Sequence, residues 1–491
     1  MLNWCIKKNG SYKLPLPPLS KDEEEVVREV SEEFKEFSKH SDFVDDKTRM
    51  DNIFDELLMN FCKKSNISLD KDQREYLKKY IYSNVIGFCG LELLLKDDEI
   101  EEISMIGVNK PVYIYKSGRG WLDTNLFFRK EETAIDVINK MARGLGRRVT
   151  YQSPKLNAIL PDGSRLHASI PPISNIELTI RKFRSKPITV CDLIRFRTYS
   201  PEALAFLSVV FQSDYNLIVA GNTASGKTST LNALFSFVPL TERILIIEET
   251  PEINIPHNHC IKMVSNADLL INMKSLVEDS LRMRPDRVIV GEVRTQEEIA
   301  ALIETILSGQ ARGSYATFHA QSADEVIKRL LSLGVLQIDL SSIDFIVIQR
   351  RLLRYNKSTK AHWEDRKGIE IVEISGEKPD LIPLFSYNFR KDKLISSLVS
   401  SKKLDEIATA FSMSREELLN EIKERAQFLE HLTERNLDFN QVVAEIQKSF
   451  FGESSSTEEV KREQTRIKEI EEKKEEEQKE GRRILLPEPE D

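Results

Sequence analysis

The sequence predicts an α/β protein built on a mainly parallel sheet and preceded by a smaller α+β domain. Three observations predict it. Apolar runs at 216–220, 243–247 and 287–291 alternate with helical patterns at 227–236, 267–282 and 296–308. Such alternation places helices on both faces of a parallel sheet. The first run leads directly into the glycine-rich stretch "GNTASGKT" at 221–228, which opens a helix. Residues 97–183 have another rhythm: "PVYIYK", "SRLHASI" and "ELTIRKF" are short, β-branched and bounded by Gly, Pro and Asp, so they read as strands around the helix "TAIDVINKMARGLG".

Taken in order, residues 1–96 form an N-terminal arm and helical region. The first twenty residues are expected to be a flexible arm, because Pro15, Pro17 and Pro18 disfavour regular structure. From 21 to about 96, "EEEVVREVSEEFKEF" and "MDNIFDELLMNFCKK" carry apolar residues at i, i+3, i+4 spacing and predict helices. Residues 97–186 form the α+β domain, and 187–400 the α/β domain, whose end from "SSIDFIVIQRRLLRY" to about 375 is strand-rich. Residues 401–452 predict a helical segment, with "SREELLNEIKERAQFLEHL" its clearest part. Residues 453–491 are a tail of mixed charge, helical or disordered, with too few apolar residues for a coiled-coil seam.

A chain of 491 residues exceeds one compact core and predicts two or three domains. Charged residues make up 31% of it, above the roughly 25% of an average domain. The net charge of −8 gives no overall attraction to a polyanion, so nucleic acid is not the expected partner. The five cysteines form no CxxC pair, which predicts a reducing compartment rather than a disulfide framework. The longest apolar runs, such as "LAFLSVVF" at 204–211, fall far short of the roughly 20 residues that cross a bilayer. No apolar leader is read at the N-terminus. A cytoplasmic protein is the expectation, able to dock on a membrane complex.

Gly221, Asn222, Thr223, Ala224, Ser225, Gly226, Lys227 and Thr228 satisfy GxxxxGK[ST], and Ser229 follows. Glycines let such a loop curl so that successive N–H groups converge on phosphate oxygens, and the helix behind presents its positive end to the same anion. Lys227 is placed to reach the β- and γ-phosphates and the Thr228 hydroxyl to help hold Mg²⁺. The sequence therefore predicts binding of a nucleoside triphosphate. Downstream, "RILIIEETPEI" ends a strand in Glu248 and Glu249, and "DRVIVGEVR" ends one in Glu292. Acids at strand ends near a phosphate loop are where the metal and the attacking water sit. His319, in "GSYATFHAQSADEV", lies at a strand end before a helix. An imidazole there can report phosphate charge, although a lone histidine is as often structural.

The four stretches "GNTASGKT", "IIEETPE", "RVIVGEVR" and "GSYATFHA", in this order, resemble the Walker A, Asp, Walker B and His boxes of the type II/IV secretion ATPase superfamily. "LRMRPDRVIVGEVR", and "LPDGSRLHASIPPIS" followed by "TIRKFRSKPITVCDLI", add to the likeness, which covers about residues 97–350. "EETPEINIPH" is similar to the archaeal branch, which drives archaella and adhesive pili. The resemblance implies a RecA-like P-loop ATPase domain with ATP and Mg²⁺ bound at its junction with the α+β domain. It implies that Glu248 positions or deprotonates the lytic water, that Glu292 supports Mg²⁺, and that His319 senses the γ-phosphate. Arg181 is implied near the nucleotide, and Arg165, Arg282, Arg284 and Arg294 are candidates to complete the site in cis or from a neighbour. The implied partners are further copies of the chain, six in a ring, a polytopic membrane platform protein, and pilin-like or archaellin subunits acted on indirectly, at the inner face of the cell membrane.

Two departures accompany the likeness. Glu248-Glu249 stands where the family has Glu-Asp, and the four-cysteine zinc insertion of many bacterial members is missing, so no structural zinc is expected. Two other readings compete: a conjugation-type ATPase acting with nucleic acid, and a nucleotide-binding scaffold without turnover. Overall acidity and the lack of aromatic–basic interleaving disfavour the first; Lys227, Glu248 and Glu292 together disfavour the second.

Overall fold

A computed structural model describes residues 2–7, 9–38, 47–116, 118–183, 187–266, 269–376 and 379–452. The chain divides into two compact units, Met1–Ser185 and Lys186–Asp491. The charged tail expected at 453–491 lies outside the described residues.

The first unit contains β1 (Trp4–Ile6), α1 (Lys21–Ser38), α2 (Lys47–Ser65), α3 (Lys71–Val85), α4 (Leu91–Leu95), β2 (Ile100–Met105), β3 (Pro111–Lys116), β4 (Gly120–Phe128), α5 (Glu131–Ala142), β5 (Lys155–Ile159), β6 (Arg165–Ser169) and β7 (Glu177–Arg181). Its seven strands form one antiparallel sheet in the order β1-β4-β3-β2-β7-β6-β5. The first residues are not a free arm. Trp4 is fully buried and stacks on Tyr80 of α3, while β1 pairs with β4. Burying one tryptophan and its apolar neighbours outweighs the proline-rich stretch, which remains without regular structure at 15–20. Val26, Val27, Val30 and Phe34 of α1, Phe54 and Leu58 of α2, and Leu77 and Ile81 of α3 share a core with the sheet residues Ile103, Ile114 and Leu178.

The second unit contains α6 (Val190–Arg195), α7 (Pro201–Gln212), β8 (Leu217–Gly221), α8 (Lys227–Leu234), β9 (Ile244–Glu248), β10 (Cys260–Val264), α9 (Met273–Ser280), β11 (Arg287–Val293), α10 (Gln296–Leu307), β12 (Gly313–Phe318), α11 (Ala323–Ser332), β13 (Phe345–Asn356), β14 (Ala361–Ser375), β15 (Asp380–Asn388), β16 (Lys393–Ser396), α12 (Lys403–Ala410), α13 (Arg415–Glu434) and α14 (Phe439–Phe451). Nine strands run in the order β10-β9-β11-β12-β8-β13-β14-β15-β16. From β10 to β13 all neighbours are parallel, and β13 to β16 continue as antiparallel hairpins.

The central strands "LIVAG" and "ILIIE" are buried at every position, as strands covered on both faces must be. One face packs on α7, α8 and the C-terminal helices through Phe206, Phe211, Phe235 and Leu429. The other packs on α9, α10 and α11 through Val277, Leu302 and Leu330. Each such side chain, fully buried, contributes about 1.5–3 kcal/mol.

Three details differ from the sequence expectation. An edge strand, β10, was not anticipated, because "CIKMV" is short and only partly buried. The helix expected over 267–282 begins at Met273: Asn272 caps it by accepting from Ser275 N, and Asn266 bridges Ile271 just before it. The strand-rich end continues past 375 through β15 and β16.

Candidate functional site

The carboxyl ends of β8, β9, β11 and β12 carry every group the four boxes contribute to the second unit. β8 ends in Gly221 and the loop 222–226 turns the chain into α8. Gly226 adopts φ 94°, a left-handed conformation that suits glycine, and Ala224 adopts φ 59°. A Cβ on Gly221 would stand 2.0 Å from the Gln349 carbonyl oxygen, so the loop leaves β8 only through a glycine. Lys227, the first residue of α8, is buried and its Nζ folds back toward the Gly221 carbonyl oxygen at 3.3 Å. Ser225 Oγ is buried without a hydrogen-bond partner among the described residues. A curled loop at a helix N-terminus, an orphaned buried hydroxyl and a buried lysine fit a polyphosphate.

Glu248, the last residue of β9, is only 3% exposed, and its Oε1 accepts from the backbone N–H groups of Glu252 (2.8 Å) and Ile253 (2.9 Å). Burial pushes its carboxyl above the ordinary range, and the two N–H bonds oppose that rise. Glu252 closes a chain back to the cradle: the Thr228 hydroxyl donates to Glu252 Oε2 at 3.1 Å. Threonine, Glu252 and Glu248 are thus linked by hydrogen bonds from the phosphate loop to a buried carboxylate of raised proton affinity.

Glu292, near the end of β11, has the opposite electrostatics. Burial disfavours its charge, but Arg294, His319 and Lys227 together hold its carboxyl below the ordinary range. Arg294 Nη2 donates to Glu292 Oε2 at 2.6 Å and Nη1 to Glu249 Oε2 at 2.8 Å. His319 Nε2 lies 2.5 Å from Glu292 Oε1, yet that oxygen accepts no aligned hydrogen bond among the described residues. His319 itself is held below the usual imidazole range by burial and by the charge of Lys227, against the opposing pull of Glu292. Two carboxylates within reach of one cradle are therefore pushed apart in proton affinity, the raised one suited to accept a proton and the lowered one to stay ionised.

Among the described residues, no group of three or more His, Cys, Asp or Glu side chains could hold a metal ion alone. Mg²⁺ takes few protein ligands and shares phosphate oxygens, so the Thr228 hydroxyl with Glu292 nearby fits it as a companion of a bound triphosphate.

The structure brings together Lys227, Thr228, Glu248, Glu292, His319 and Arg294. Arg284 does not join them: it is exposed on the turn before β11, at φ 49°, with no hydrogen bond or ion pair among the described residues. Arg282 is exposed on the same turn, 3.6 Å from Asp279. Arg181 and Arg165 belong to the first unit, facing each other across β7 and β6, with Glu102 opposite Arg181 on the other side. Glu249 is exposed and reaches the site only through Arg294. Sequence reading missed Glu252, although it lies inside the quoted Asp-box stretch, and missed Gln349 and Arg366, which hold the loop from β13 and β14.

A P-loop domain of RecA-like type is defined by this sheet, with β12 inserted between the strand of the cradle and the strand of Glu292. Residues 98–470 match the family described as type II/IV secretion system protein, and the chain belongs to that family. It is 39% identical over 263 residues to an uncharacterised protein of Methanocaldococcus jannaschii, a match covering 50% of this chain and 36% of that relative. It is 27% identical over 331 residues to the type IV secretion system protein VirB11 of Bartonella henselae, covering 56% of this chain and 92% of the relative. The solved ATPase DotB of Legionella pneumophila is 16% identical and aligns with a TM-score of 0.43 over 72% of this chain and 92% of that one. Among the described residues, no helix is long and apolar enough to cross a membrane.

Proposed function

We propose that this chain hydrolyses ATP with Mg²⁺ and that hydrolysis powers a secretion or pilus-type machine at the inner face of a cell membrane. The observation that carries the proposal is the hydrogen-bonded path from Thr228 through Glu252 to Glu248, beside the Lys227–Glu292–His319 cluster. In this reading the loop amides and Lys227 hold the β- and γ-phosphates. Glu248, with its raised proton affinity, orients the attacking water and takes its proton. Glu292 and Thr228 hold the metal's surroundings, and the metal's contribution is to neutralise charge on the phosphates. His319, beside Lys227 and Glu292, registers the γ-phosphate in this reading. Arg294 is the arginine best placed in cis to answer charge developing in phosphoryl transfer, and an arginine from another copy of the chain is compatible with the same site.

Family membership supports the coupling to secretion or filament assembly. The "EETPEINIPH" stretch, similar to the archaeal branch, favours a type IV pilus-like filament or archaellum. The acting form is a closed ring, six copies in our reading, in the cytoplasm, working on a polytopic platform protein and through it on pilin-like subunits. Work comes from different affinities of open and closed states for ATP and its products.

The test is phosphate release by the purified chain with Mg²⁺–ATP, compared with Glu248→Gln. Gln keeps an acceptor for the two backbone N–H groups but cannot take a proton. A fall of about 10²–10³-fold is expected for losing such a base. Equal release from both proteins would overturn the catalytic reading. Stimulation by single-stranded DNA would favour conjugation-type work instead, a reading disfavoured by the net charge of −8.

A further inference from the structure

Gln349 lies on β13 at a register irregularity, with Gly221 of β8 as its neighbour on one side and Gly368 of β14 on the other. It is 2% exposed, and both polar atoms of its side chain are hydrogen-bonded. Its Oε1 accepts from the Tyr199 hydroxyl at 3.0 Å and the Thr230 hydroxyl at 2.6 Å, which leaves Nε2 with one orientation. That nitrogen donates to the Ser225 carbonyl oxygen at 2.6 Å.

A trans peptide points its C=O and N–H in opposite directions. Drawing the Ser225 oxygen outward toward Gln349 therefore turns the Gly226 N–H the other way, and that N–H has no acceptor among the described residues. The adjacent peptide is fixed at both ends: Arg366 Nε of β14 donates to the Ala224 oxygen at 3.0 Å, and the Ser225 N–H donates to the Asn222 oxygen at 3.2 Å. A third tie holds the start of the loop: Asn222 Nδ2 donates to the Arg351 carbonyl oxygen at 3.1 Å, and Arg351 N donates to Asn222 Oδ1 at 2.8 Å. A Cβ on Gly226 would stand 2.9 Å from Gln349 Nε2, so the glutamine shares in the demand for glycine there.

We propose that Gln349 is a positioning residue for the phosphate cradle: its amide, oriented by Tyr199 and Thr230, holds the Ser225–Gly226 peptide with the N–H presented to a phosphate oxygen before any nucleotide arrives. Pre-set donors cost no reorganisation when the anion binds, whereas a loop free to rotate that peptide must be ordered at the expense of affinity. The inference rests on the nucleotide reading above.

The experiment uses the full chain with Gln349→Glu and Gln349→Met. Glu keeps the acceptor for both hydroxyls and loses the donor to Ser225; Met keeps the volume and loses both. ATP affinity is measured with a fluorescent ATP analogue, KM and kcat by phosphate release, and melting without nucleotide. A KM raised about tenfold with kcat within about threefold is expected for both variants, the signature of lost ground-state binding. Lower melting with an unchanged KM is the result of a merely structural role and would overturn the proposal. If Gln349→Met does not fold, Arg366→Ala reads the same loop from the second tie, with a KM rise of about threefold expected and an unchanged KM overturning it. Wild-type protein that binds no ATP would overturn the nucleotide reading and this one with it. Wild-type binding matched by unchanged variants would overturn this one alone.

Discussion

The two ends of the parallel sheet in the second unit carry the same kinds of side chain and use them differently. At the amino ends, Arg287 of β11 is fully buried and every nitrogen of its guanidinium is hydrogen-bonded: Nε donates to Glu242 Oε2 at 2.7 Å, Nη2 to Glu242 Oε1 at 3.4 Å, and Nη1 to the Tyr315 hydroxyl at 2.6 Å and the Ser213 oxygen at 3.0 Å. Arg312 adds a further contact to Glu242. At the carboxyl ends, among the described residues, Ser225 Oγ is buried without a partner, Glu292 Oε1 faces His319 without an aligned hydrogen bond, and Arg294 is divided between two glutamates. Both ends bury charge, and both hold buried polar atoms without a partner among the described residues, Arg243 Nε and His257 Nδ1 at the amino ends; only at the carboxyl ends do such atoms stand beside a glycine loop. A saturated network holds strands together, whereas an unsaturated one at a glycine loop is prepared for a ligand.

The comparison can be broken most severely at Arg287. Replacing it with Met leaves Glu242 buried beside a single remaining arginine, and a loss of about 3–5 kcal/mol is expected in denaturant unfolding. A variant of unchanged stability would show that the amino-end network is not structural. Next in size is Glu248→Gln at the other end. Its 10²–10³-fold loss of hydrolysis corresponds to about 3–4 kcal/mol of barrier. It should come without loss of stability, since Gln keeps the backbone bonds and removes a carboxylate that burial disfavours. The acid limb of hydrolysis should accordingly lie above the ordinary carboxylate range in the wild type, because Glu248 must lose its proton to serve.

A third test separates the ends by pH. His257, just before β10, is pushed down to about 4 by burial, with Nε2 3.1 Å from the Pro239 oxygen. Its native form binds fewer protons than the unfolded chain between about 4 and 6.5, so its contribution is complete above pH 6.5 and is lost as pH falls toward 4. Between pH 7 and pH 5 this amounts to about 2 kcal/mol, and His257→Gln should flatten that slope in unfolding measurements. A slope unaffected by the substitution would assign the acid sensitivity elsewhere. The smallest effect belongs to Glu249. Its side chain is 64% exposed, so breaking its pair with Arg294 by Glu249→Ala should change stability by less than about 1 kcal/mol. A large loss of hydrolysis in that variant would promote Glu249 from a rim charge to a member of the site.

The unequal legibility of these groups has a physical cause. The cradle, Glu248, Glu292 and His319 could be found in the sequence because each stands at a strand end, and a short apolar run followed by a polar residue is a local signal. Glu252 sits only four residues from Glu248, but its role depends on how the turn through Pro251 brings it back to Thr228. Gln349 is 124 residues from the carbonyl it holds, on a strand that looks like any other apolar run. Arg284 and Arg294 look alike in sequence, and only the path of the turn before β11 and the end of that strand exposes one and engages the other.

The sequence by itself determined the alternation of strand and helix, the glycine loop and the acids that follow it, because periodicity and loop curvature are set by neighbours within a few residues. The tertiary structure alone decided the order β9-β11-β12-β8-β13, the burial that drives Glu248 and Glu292 apart, and the ties from β13 and β14 to the back of the loop. Those depend on which distant strands become neighbours, and on how much water their packing removes from a charge.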